Sequence, residues 1–269
     1  MFRLRVVHDR CFICGAKSDF CLEEGITLFR EARCNICGAS LRNSDTAKAV
    51  IEVILGKTAS LSECVGELSG INILEAQAVG PIYNLLKKLP RYVCFEYFDD
   101  VKPGEYKNGI LCNDLENLTF GDSSFDLVIT QDVFEHVANP GKAFFEIYRV
   151  LREGGYHIFT VPLHEGRPTK SRRGLPEVYH GDPLRKQGIL VYTDWGDDIC
   201  SLVDKYGFET LRIDAHIFYQ PHEITDVDQS YSEYLVTPPL KYYRYNSIVF
   251  ISQKRGNRVK RMINLLKVE

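Results

Sequence analysis

The spacing of apolar residues changes near Gly70 and divides the chain into an irregular first part and a regular second part. Residues 1–45 are irregular and rich in Cys and Gly. Residues 46–68 carry apolar positions at helical spacing and contain no Pro, which predicts one or two helices. From residue 71 to about residue 215, short apolar runs bounded by Gly, Pro, Asp or Asn alternate with helical stretches.

This alternation predicts the fold class. The apolar runs predict strands over 71–76, 91–98, 109–114, 125–130 and 156–161, and the remaining stretches predict helices over 81–89, 140–152 and 194–206. Strands that alternate with helices indicate a parallel sheet covered on both faces. Two last runs, 208–219 and 246–253, have no helical pattern between them and predict an antiparallel closing pair. We therefore predict an α/β fold with a doubly wound, seven-stranded sheet.

Composition narrows the class of protein further. The 269 residues are enough for one domain with a small appendage, and the net charge of −3 gives no overall attraction to nucleic acid or to an anionic membrane. No apolar run approaches the roughly 20 residues that span a bilayer, and the first residues lack the apolar core of a signal peptide. We expect a cytoplasmic protein with no membrane span and no nucleic-acid partner. The sequence leaves the oligomeric state undefined.

Four of the nine cysteines form two matched turns, Cys11-Phe-Ile-Cys14-Gly and Cys34-Asn-Ile-Cys37-Gly. The glycine after each pair permits the left-handed backbone that such turns need, and nineteen residues separate the pairs. Four thiolates suit a tetrahedral Zn²⁺ with no open position, so we predict a structural zinc; iron fits the same ligands. We predict a zinc-binding segment over 1–45, followed by one α/β domain over 46–269.

Carboxylates stand where three of the predicted strands end. Ligands of doubly wound sheets bind beyond the carboxyl ends of the strands, where the strand order reverses. Glu75 ends the first strand and Gly80 opens the next helix. Glu96 ends the second strand, about 20 residues past the first loop, where a carboxylate can accept from both ribose hydroxyls of a nucleoside. Asp114 ends the third strand and can pair with an adenine edge. The alternative is that each is an ordinary carboxylate facing water.

The stretch 114–162 carries a longer series of motifs that resembles the class I S-adenosylmethionine-dependent methyltransferases of the type-11 group. The matching residues are Asp114, Leu118, Phe120, Asp122, Phe125-Asp126, Glu135-His136 and Arg149-Val150-Leu151-Arg152-Glu153-Gly154-Gly155. The resemblance implies a Rossmann-like methyltransferase fold over residues 70–161, with S-adenosylmethionine as cofactor. It places Glu96 on the ribose, Asp114 and Leu115 on the adenine, and Gln131 beside the methionine end. The expected cofactor-binding set is Glu75, Gln77, Gly80, Glu96, Tyr97, Asp114, Leu115 and Gln131.

The first loop departs from the pattern of that family. The family has several glycines after the first strand, whereas here Ala76, Gln77, Ala78 and Val79 precede Gly80. Side chains at 77–79 would narrow the cleft and weaken cofactor binding. A non-catalytic, methyltransferase-like scaffold is therefore the alternative to an active enzyme.

The acceptor is expected at two insertions, 162–192 and 220–245. The sequence Tyr179-His180-Gly181-Asp182-Pro183 resembles a motif in methyltransferases of glycan and polysaccharide gene clusters. Because histidine takes up a proton near neutral pH, His180 is the candidate base, with Asp182 or Asp197 orienting it. The alternative is a loop histidine without a catalytic role. His136 is a further candidate, for which a structural or cofactor-side role is favoured.

These residues predict methyl transfer to a small-molecule or glycan acceptor. The fourth strand is followed by Gln131-Asp132-Val133-Phe134 rather than by the N-P-P-[YF] tetrapeptide of amino-methylating enzymes, which favours an oxygen acceptor. A nucleic-acid methyltransferase would need a basic face, and the net charge of −3 argues against one.

Overall fold

The computed structural model of the chain describes residues 5–8, 10–21, 28–214 and 247–255. The strands are β1 Arg5–His8, β2 Ser18–Cys21, β3 Arg33–Cys34, β4 Ile73–Glu75, β5 Tyr92–Glu96, β6 Tyr106–Lys107, β7 Ile110–Cys112, β8 Phe125–Gln131, β9 Leu151–Thr160, β10 Lys170–Ser171, β11 Tyr179–His180, β12 Ile189–Leu190, β13 Thr193–Asp194, β14 Phe208–Asp214 and β15 Ile248–Lys254. The α-helices are α1 Leu41–Leu55, α2 Leu61–Cys64, α3 Pro81–Leu86, α4 Pro140–Val150 and α5 Ile199–Asp204. Short 3-10 helices span Phe29–Glu31, Val65–Gly70 and Phe134–His136.

The chain divides into two compact units. The first comprises Met1–Leu68, Arg212–Val249 and Met262–Glu269, and the second comprises Ser69–Leu211 and Phe250–Arg261. The predicted insertion 220–245 lies outside the described residues.

The first unit holds the cysteine turns and the helices that follow them. Strands β1, β2 and β3 form an antiparallel sheet. The Ser40 side chain and Asn43 cap the start of α1 reciprocally, and Gly56, with φ of 65°, ends it. The Phe12 N–H donates to the Ser44 hydroxyl at 3.0 Å, and the Leu61 N–H donates to the Phe12 carbonyl at 2.7 Å. The contacts of the first cysteine turn therefore extend past residue 45, the boundary predicted from sequence.

Among the described residues, the main sheet has eight strands, in the order β14-β15-β9-β8-β4-β5-β7-β6. Strands β9, β8, β4, β5 and β7 pair in parallel, whereas β15 pairs antiparallel to β9. The order reverses on either side of β4, because β5 lies on one side and β8 on the other. The predicted doubly wound α/β fold is confirmed. The short β6, antiparallel to β7, adds an edge strand to the seven that the sequence predicts.

The three predicted helices are longer than those in the structure, and α3 ends at Leu86 rather than at residue 89. Helix α4 ends at Val150 and β9 begins at Leu151, so the predicted helix 140–152 is two residues too long. The helix predicted over 194–206 is only Ile199–Asp204. Its acidic residues instead hold the preceding loop, because Asp197 accepts from the Gly166 N–H at 2.6 Å and Asp198 accepts from the Thr169 N–H at 2.7 Å.

Several residues of the methyltransferase-like motif are held in place by hydrogen bonds from Arg149. Its guanidinium donates to Glu146 and Asp122, and to the carbonyls of Leu118 and Phe120, at 2.7–2.9 Å. One helix side chain thereby fixes the loop that follows Asp114. Among the described helices, none is both long and apolar enough to cross a membrane.

Candidate active site

The reversal of strand order at β4 opens a cleft beyond the carboxyl ends of β4, β5 and β8, which we call the edge cleft. Its volume is about 940 Å³, within the range of small-molecule sites. The predicted residues that line it are Gln77, Glu96, Tyr97, Asp114, Leu115, Gln131, His136 and Asp182. Sites scattered over more than 100 residues of sequence are therefore brought to one cavity, as expected for a doubly wound sheet.

The first loop lies against Glu96. The Ala78 N–H donates to Glu96 Oε1 at 2.8 Å, while Gln77 and Val79 line the edge cleft. Burial raises the pKa of Glu96, and the Ala78 hydrogen bond and the charge of Arg185 oppose that shift. A backbone N–H of the first loop therefore already donates to Glu96, the carboxylate that was expected to bind the ribose.

Gly80 and Glu75 are absent from the described lining of the edge cleft. Gly80 has φ of 103° and precedes Pro81 at the first turn of α3, so its role is to begin the helix. The Glu75 side chain is buried, and its Oε2 accepts from the Tyr92 hydroxyl at 2.6 Å. Burial raises the pKa of Glu75 to about 8, despite hydrogen bonds from Tyr92 and Gln131 that oppose the shift.

Asp114 and Gln131 both line the edge cleft. The Asp114 Oδ1 accepts from the Glu116 N–H at 2.8 Å and so closes the turn after β7. The Gln131 Nε2 lies 3.5 Å from Gln77 Oε1, so the loop after β4 contacts the end of the neighbouring strand β8.

Asp132 turns the chain sharply after β8. Its φ is 53°, a left-handed conformation that Asp adopts more readily than most residues. The Asp132 N–H donates to the Thr160 carbonyl, and the Thr160 hydroxyl donates to Asp132 Oδ1, both at 3.0 Å. This turn starts the short 3-10 helix that carries Glu135 and His136.

Residues 178–192, which we call the cover hairpin, form one wall of the edge cleft. Strands β11 and β12 pair antiparallel within it, and the Arg185 guanidinium donates to the Tyr97 carbonyl. Arg185 also donates to Asp182 Oδ2 at 3.1 Å and lies 5.9 Å from the centre of the Phe98 ring. One arginine therefore ties the hairpin to the end of β5, beside Glu96.

His180 meets different partners from those expected. Asp182 accepts from the Leu184 N–H at 2.8 Å and from Arg185, because it closes a turn of the cover hairpin. Asp197 binds the loop at Gly166. The carboxylate that faces His180 is Glu135, whose Oε1 lies 3.7 Å from His180 Nδ1, and the His136 ring lies 5.1 Å away, centre to centre.

The sequence prediction missed Glu135 and Arg185. Glu135 adjoins His136 just after β8, and His180 follows β9, so both loops were expected at the same edge of the sheet. That placement was the available signal for Glu135. Arg185 had no comparable signal, since its contact with the Tyr97 carbonyl depends on how the cover hairpin folds.

The four cysteines of the two turns lie together in the first unit. Their ligand atoms are within 4.8 Å of one another, and the Cys11 and Cys37 sulfurs are 3.8 Å apart. A tetrahedral Zn²⁺ with bonds of ~2.3 Å sets its sulfur ligands ~3.8 Å apart. Gly15 and Gly38 have φ of 80° and 73°, and each N–H donates to the carbonyl of the first cysteine of its turn. The cluster is compatible with zinc.

The comparisons with known proteins give the enzyme class. A family model described as a methyltransferase domain, Methyltransf_11, matches residues 94–159, which run from β5 to β9 and include Glu96, Asp114, Gln131 and His136. The predicted enzyme class, an S-adenosylmethionine-dependent methyltransferase, is confirmed. Among curated proteins, none matches the chain.

Solved structures with similar folds share little sequence with the chain. One is described as an S-adenosylmethionine-dependent methyltransferase from Listeria monocytogenes, with 11% identity, coverage of 79% of this chain and 99% of that chain, and a TM-score of 0.44. Another is a methyltransferase from Mesorhizobium loti, with 14% identity, coverage of 70% and 93%, and a TM-score of 0.40. The [4+2]-cyclase SpnF has 14% identity, coverage of 72% and 80%, and a TM-score of 0.40.

The burial of Glu75 predicts a specific dependence of stability on pH. A carboxyl whose folded pKa is raised stabilises the fold below its unfolded pKa, near 4.5, and that stability is lost as the pH rises through about 8. Glu75→Gln keeps an acceptor for Tyr92 and cannot ionise. We expect the wild type to lose stability relative to this variant as the pH rises. The free energy of unfolding of Glu75→Gln in urea, minus that of the wild type, should increase by roughly 2–4 kcal/mol between pH 5 and pH 9.

Glu105→Gln is the control, since Glu105 is exposed and should leave the pH dependence unchanged. Parallel pH profiles for the wild type and Glu75→Gln would contradict this account of Glu75.

Proposed function

We propose that the edge cleft binds S-adenosylmethionine and that the enzyme transfers its methyl group to a hydroxyl oxygen of a small-molecule or glycan acceptor. The observation that carries the proposal is that six of the eight expected cofactor residues line one cavity, which His136 and the cover hairpin also border. Glu96 would accept from the ribose hydroxyls, Asp114 and Leu115 would contact the adenine, and Gln131 would face the methionine end.

The residues that line the edge cleft are chemically suited to S-adenosylmethionine. The cleft offers a half-buried carboxylate at Glu96, an apolar wall at Leu115, and a polar end at Gln77 and Gln131. When bound, S-adenosylmethionine supplies an electrophilic methyl group on a sulfonium, and it leaves as a neutral thioether once the methyl carbon has passed to the acceptor. Tyr97, whose side chain is 53% exposed, would cover one face of the nucleoside.

The acceptor half of the proposal is based on Glu135, His136 and His180. A hydroxyl must lose its proton as its oxygen forms the new carbon–oxygen bond, and basic groups near that oxygen assist the loss. His136 lines the cleft after Gln131 and Asp132, so it lies next to the expected methionine end. His180 is partly exposed beside it. The loop 162–192 that supplies His180 is the segment in which the acceptor was expected.

We also propose that Cys11, Cys14, Cys34 and Cys37 bind one structural Zn²⁺. Burial raises the pKa of the Cys37 thiol to about 11 and raises that of Cys11 as well. Cys11 and Cys34 are buried, whereas Cys14 is partly exposed and Cys37 is exposed. A bound cation would favour the thiolate form of all four, and protein sulfurs would take all four positions of a tetrahedral ion.

The second candidate is a methyltransferase-like scaffold with a weak cofactor site. Two observations favour it: the Ala78 N–H already donates to one oxygen of Glu96, and the Gln77 side chain lies in the cleft beside Gln131. Direct binding measurements separate the two candidates.

Glu96→Gln tests the cofactor site. A hydrogen bond to a charged acceptor contributes about 1.5–3 kcal/mol, so the affinity for S-adenosylhomocysteine should fall by roughly 10–100-fold. Isothermal titration of zinc-loaded protein measures it, with exposed Glu105→Gln as the matched control. If the folded wild type binds neither S-adenosylmethionine nor S-adenosylhomocysteine, the scaffold is the better account.

Cys37→Ser tests the zinc site. We expect about one zinc per wild-type chain by atomic emission, and a loss of that zinc with a lower melting temperature in the variant, because metal binding contributes to folding. Cys21→Ser is the control, since Cys21 lies between the two turns in sequence but outside the cluster. Full zinc retention by Cys37→Ser would contradict the proposed ligand set, and iron in the purified protein would contradict the metal.

A further inference from the structure

Glu135 is a buried carboxylate without a donor. Its side chain is 1% exposed, and neither carboxylate oxygen has a hydrogen-bond partner among the described residues. Leaving a buried polar group unpaired costs on the order of 1–3 kcal/mol, and more when the group is charged. A bound cation or a hydrogen-bond donor near this carboxylate would offset that cost.

Two histidines face that carboxylate at matching distances. His136 Nε2 and His180 Nδ1 each lie 3.7 Å from Glu135 Oε1. This distance is too long for a hydrogen bond. Two donors bound to one metal at ~2.1 Å lie ~3.0–3.5 Å apart, so each histidine needs to approach Glu135 by only a few tenths of an ångström to share an ion with it. The ligand atoms are all within 4.8 Å of one another.

The orientation of His136 is fixed for metal binding. Its Nδ1 lies 2.9 Å from the Leu190 carbonyl, which can only accept, so Nδ1 carries the proton and donates. In the neutral ring, the lone pair is then on Nε2, the atom that faces Glu135. A backbone carbonyl behind a histidine is a common support for a metal ligand.

The backbone also holds the three residues in place. The Tyr192 N–H donates to the Glu135 carbonyl at 2.7 Å, which joins the cover hairpin to the 3-10 helix. Gly188 has φ of 75°, and a Cβ there would overlap the His180 carbonyl, so glycine permits the close pairing of β11 and β12. Main-chain contacts thus hold together the two segments that carry the three residues.

We propose that Glu135, His136 and His180 bind one divalent transition-metal ion beside the edge cleft, which His136 lines. Two imidazoles and one carboxylate form a ligand set that such ions favour, and three protein ligands leave positions open for another oxygen. On the proposed function, on which this role rests, an ion here would hold the acceptor hydroxyl and favour loss of its proton to water. His180 is then a ligand rather than the base.

The test is metal binding by the full chain with its cysteine cluster loaded with zinc. Mn²⁺ is titrated and followed by electron paramagnetic resonance, because it prefers oxygen and nitrogen to thiolates. Co²⁺, followed by its visible absorption, is the second probe. We expect about one site per chain, with binding weakened more than about tenfold in Glu135→Gln and His180→Gln, since even supporting residues of metal sites typically contribute 10–100-fold.

His164→Gln is the matched control, because His164 follows β9 but lies near Asp194, outside the cluster. His180 is partly exposed, so His180→Gln remains informative if Glu135→Gln fails to fold. The proposal is overturned if neither Mn²⁺ nor Co²⁺ binds the wild type, or if His180→Gln binds them equally well. S-adenosylhomocysteine is titrated on the same samples, so loss of the metal site and loss of the cofactor site are read separately.

Discussion

The cost of burying carboxylates at the carboxyl edge of the parallel sheet shapes the rest of this structure. Glu75 and Glu135 are each only 1% exposed, and they end or follow adjacent strands. Glu75 meets this cost with the Tyr92 hydroxyl and with a pKa raised to about 8, so it is largely protonated at neutral pH. Glu135 has no hydrogen-bond donor among the described residues and instead faces two imidazoles. The two buried carboxylates at this edge are thus accommodated by different contacts.

The surroundings of Glu135 link the two loops that carry the candidate chemistry. The left-handed Asp132, fixed by Thr160, directs the chain back over the end of β8. The cover hairpin then attaches to this turn through the Glu135 carbonyl and through the carbonyl that accepts from His136. If Glu135 moved, both attachments would change. The position of Arg185 against the end of β5 would change with them.

The sequence predicted the parts of the structure that depend on local pattern. Continuous apolar runs with turn residues at their ends predicted β4, β5, β7 and β8 within a few residues, and the strand ends predicted that Glu96, Asp114 and Gln131 would share an edge. It did not predict what depends on side chains distant in sequence. Glu75 was predicted to contact the cofactor because it ends a strand. Its contact with Tyr92 depends on the pairing of β4 with β5, which the sequence does not reveal. The acidic run at 194–198 reads as a helix start, but its carboxylates hold the loop at Gly166 and Thr169. His180 was a candidate from its chemistry, and its carboxylate partner was misassigned because short hairpins carry no periodic signal.

The altered first loop bears on affinity more than on the existence of the site. A glycine-rich loop leaves its backbone free to approach a ligand, whereas here the Ala78 N–H is already bound to Glu96 Oε1. A ribose bound at Glu96 must therefore share that oxygen or use Oε2 alone. The loop keeps small residues at 76 and 78, and Ala76, Gln77 and Val79 all line the cleft. On the proposed function, Arg185 of the cover hairpin, which lies against the end of β5, would replace part of the lost backbone contact. On this view, the cover hairpin contributes to cofactor binding as well as to the acceptor side, because one hairpin carries both Arg185 and His180.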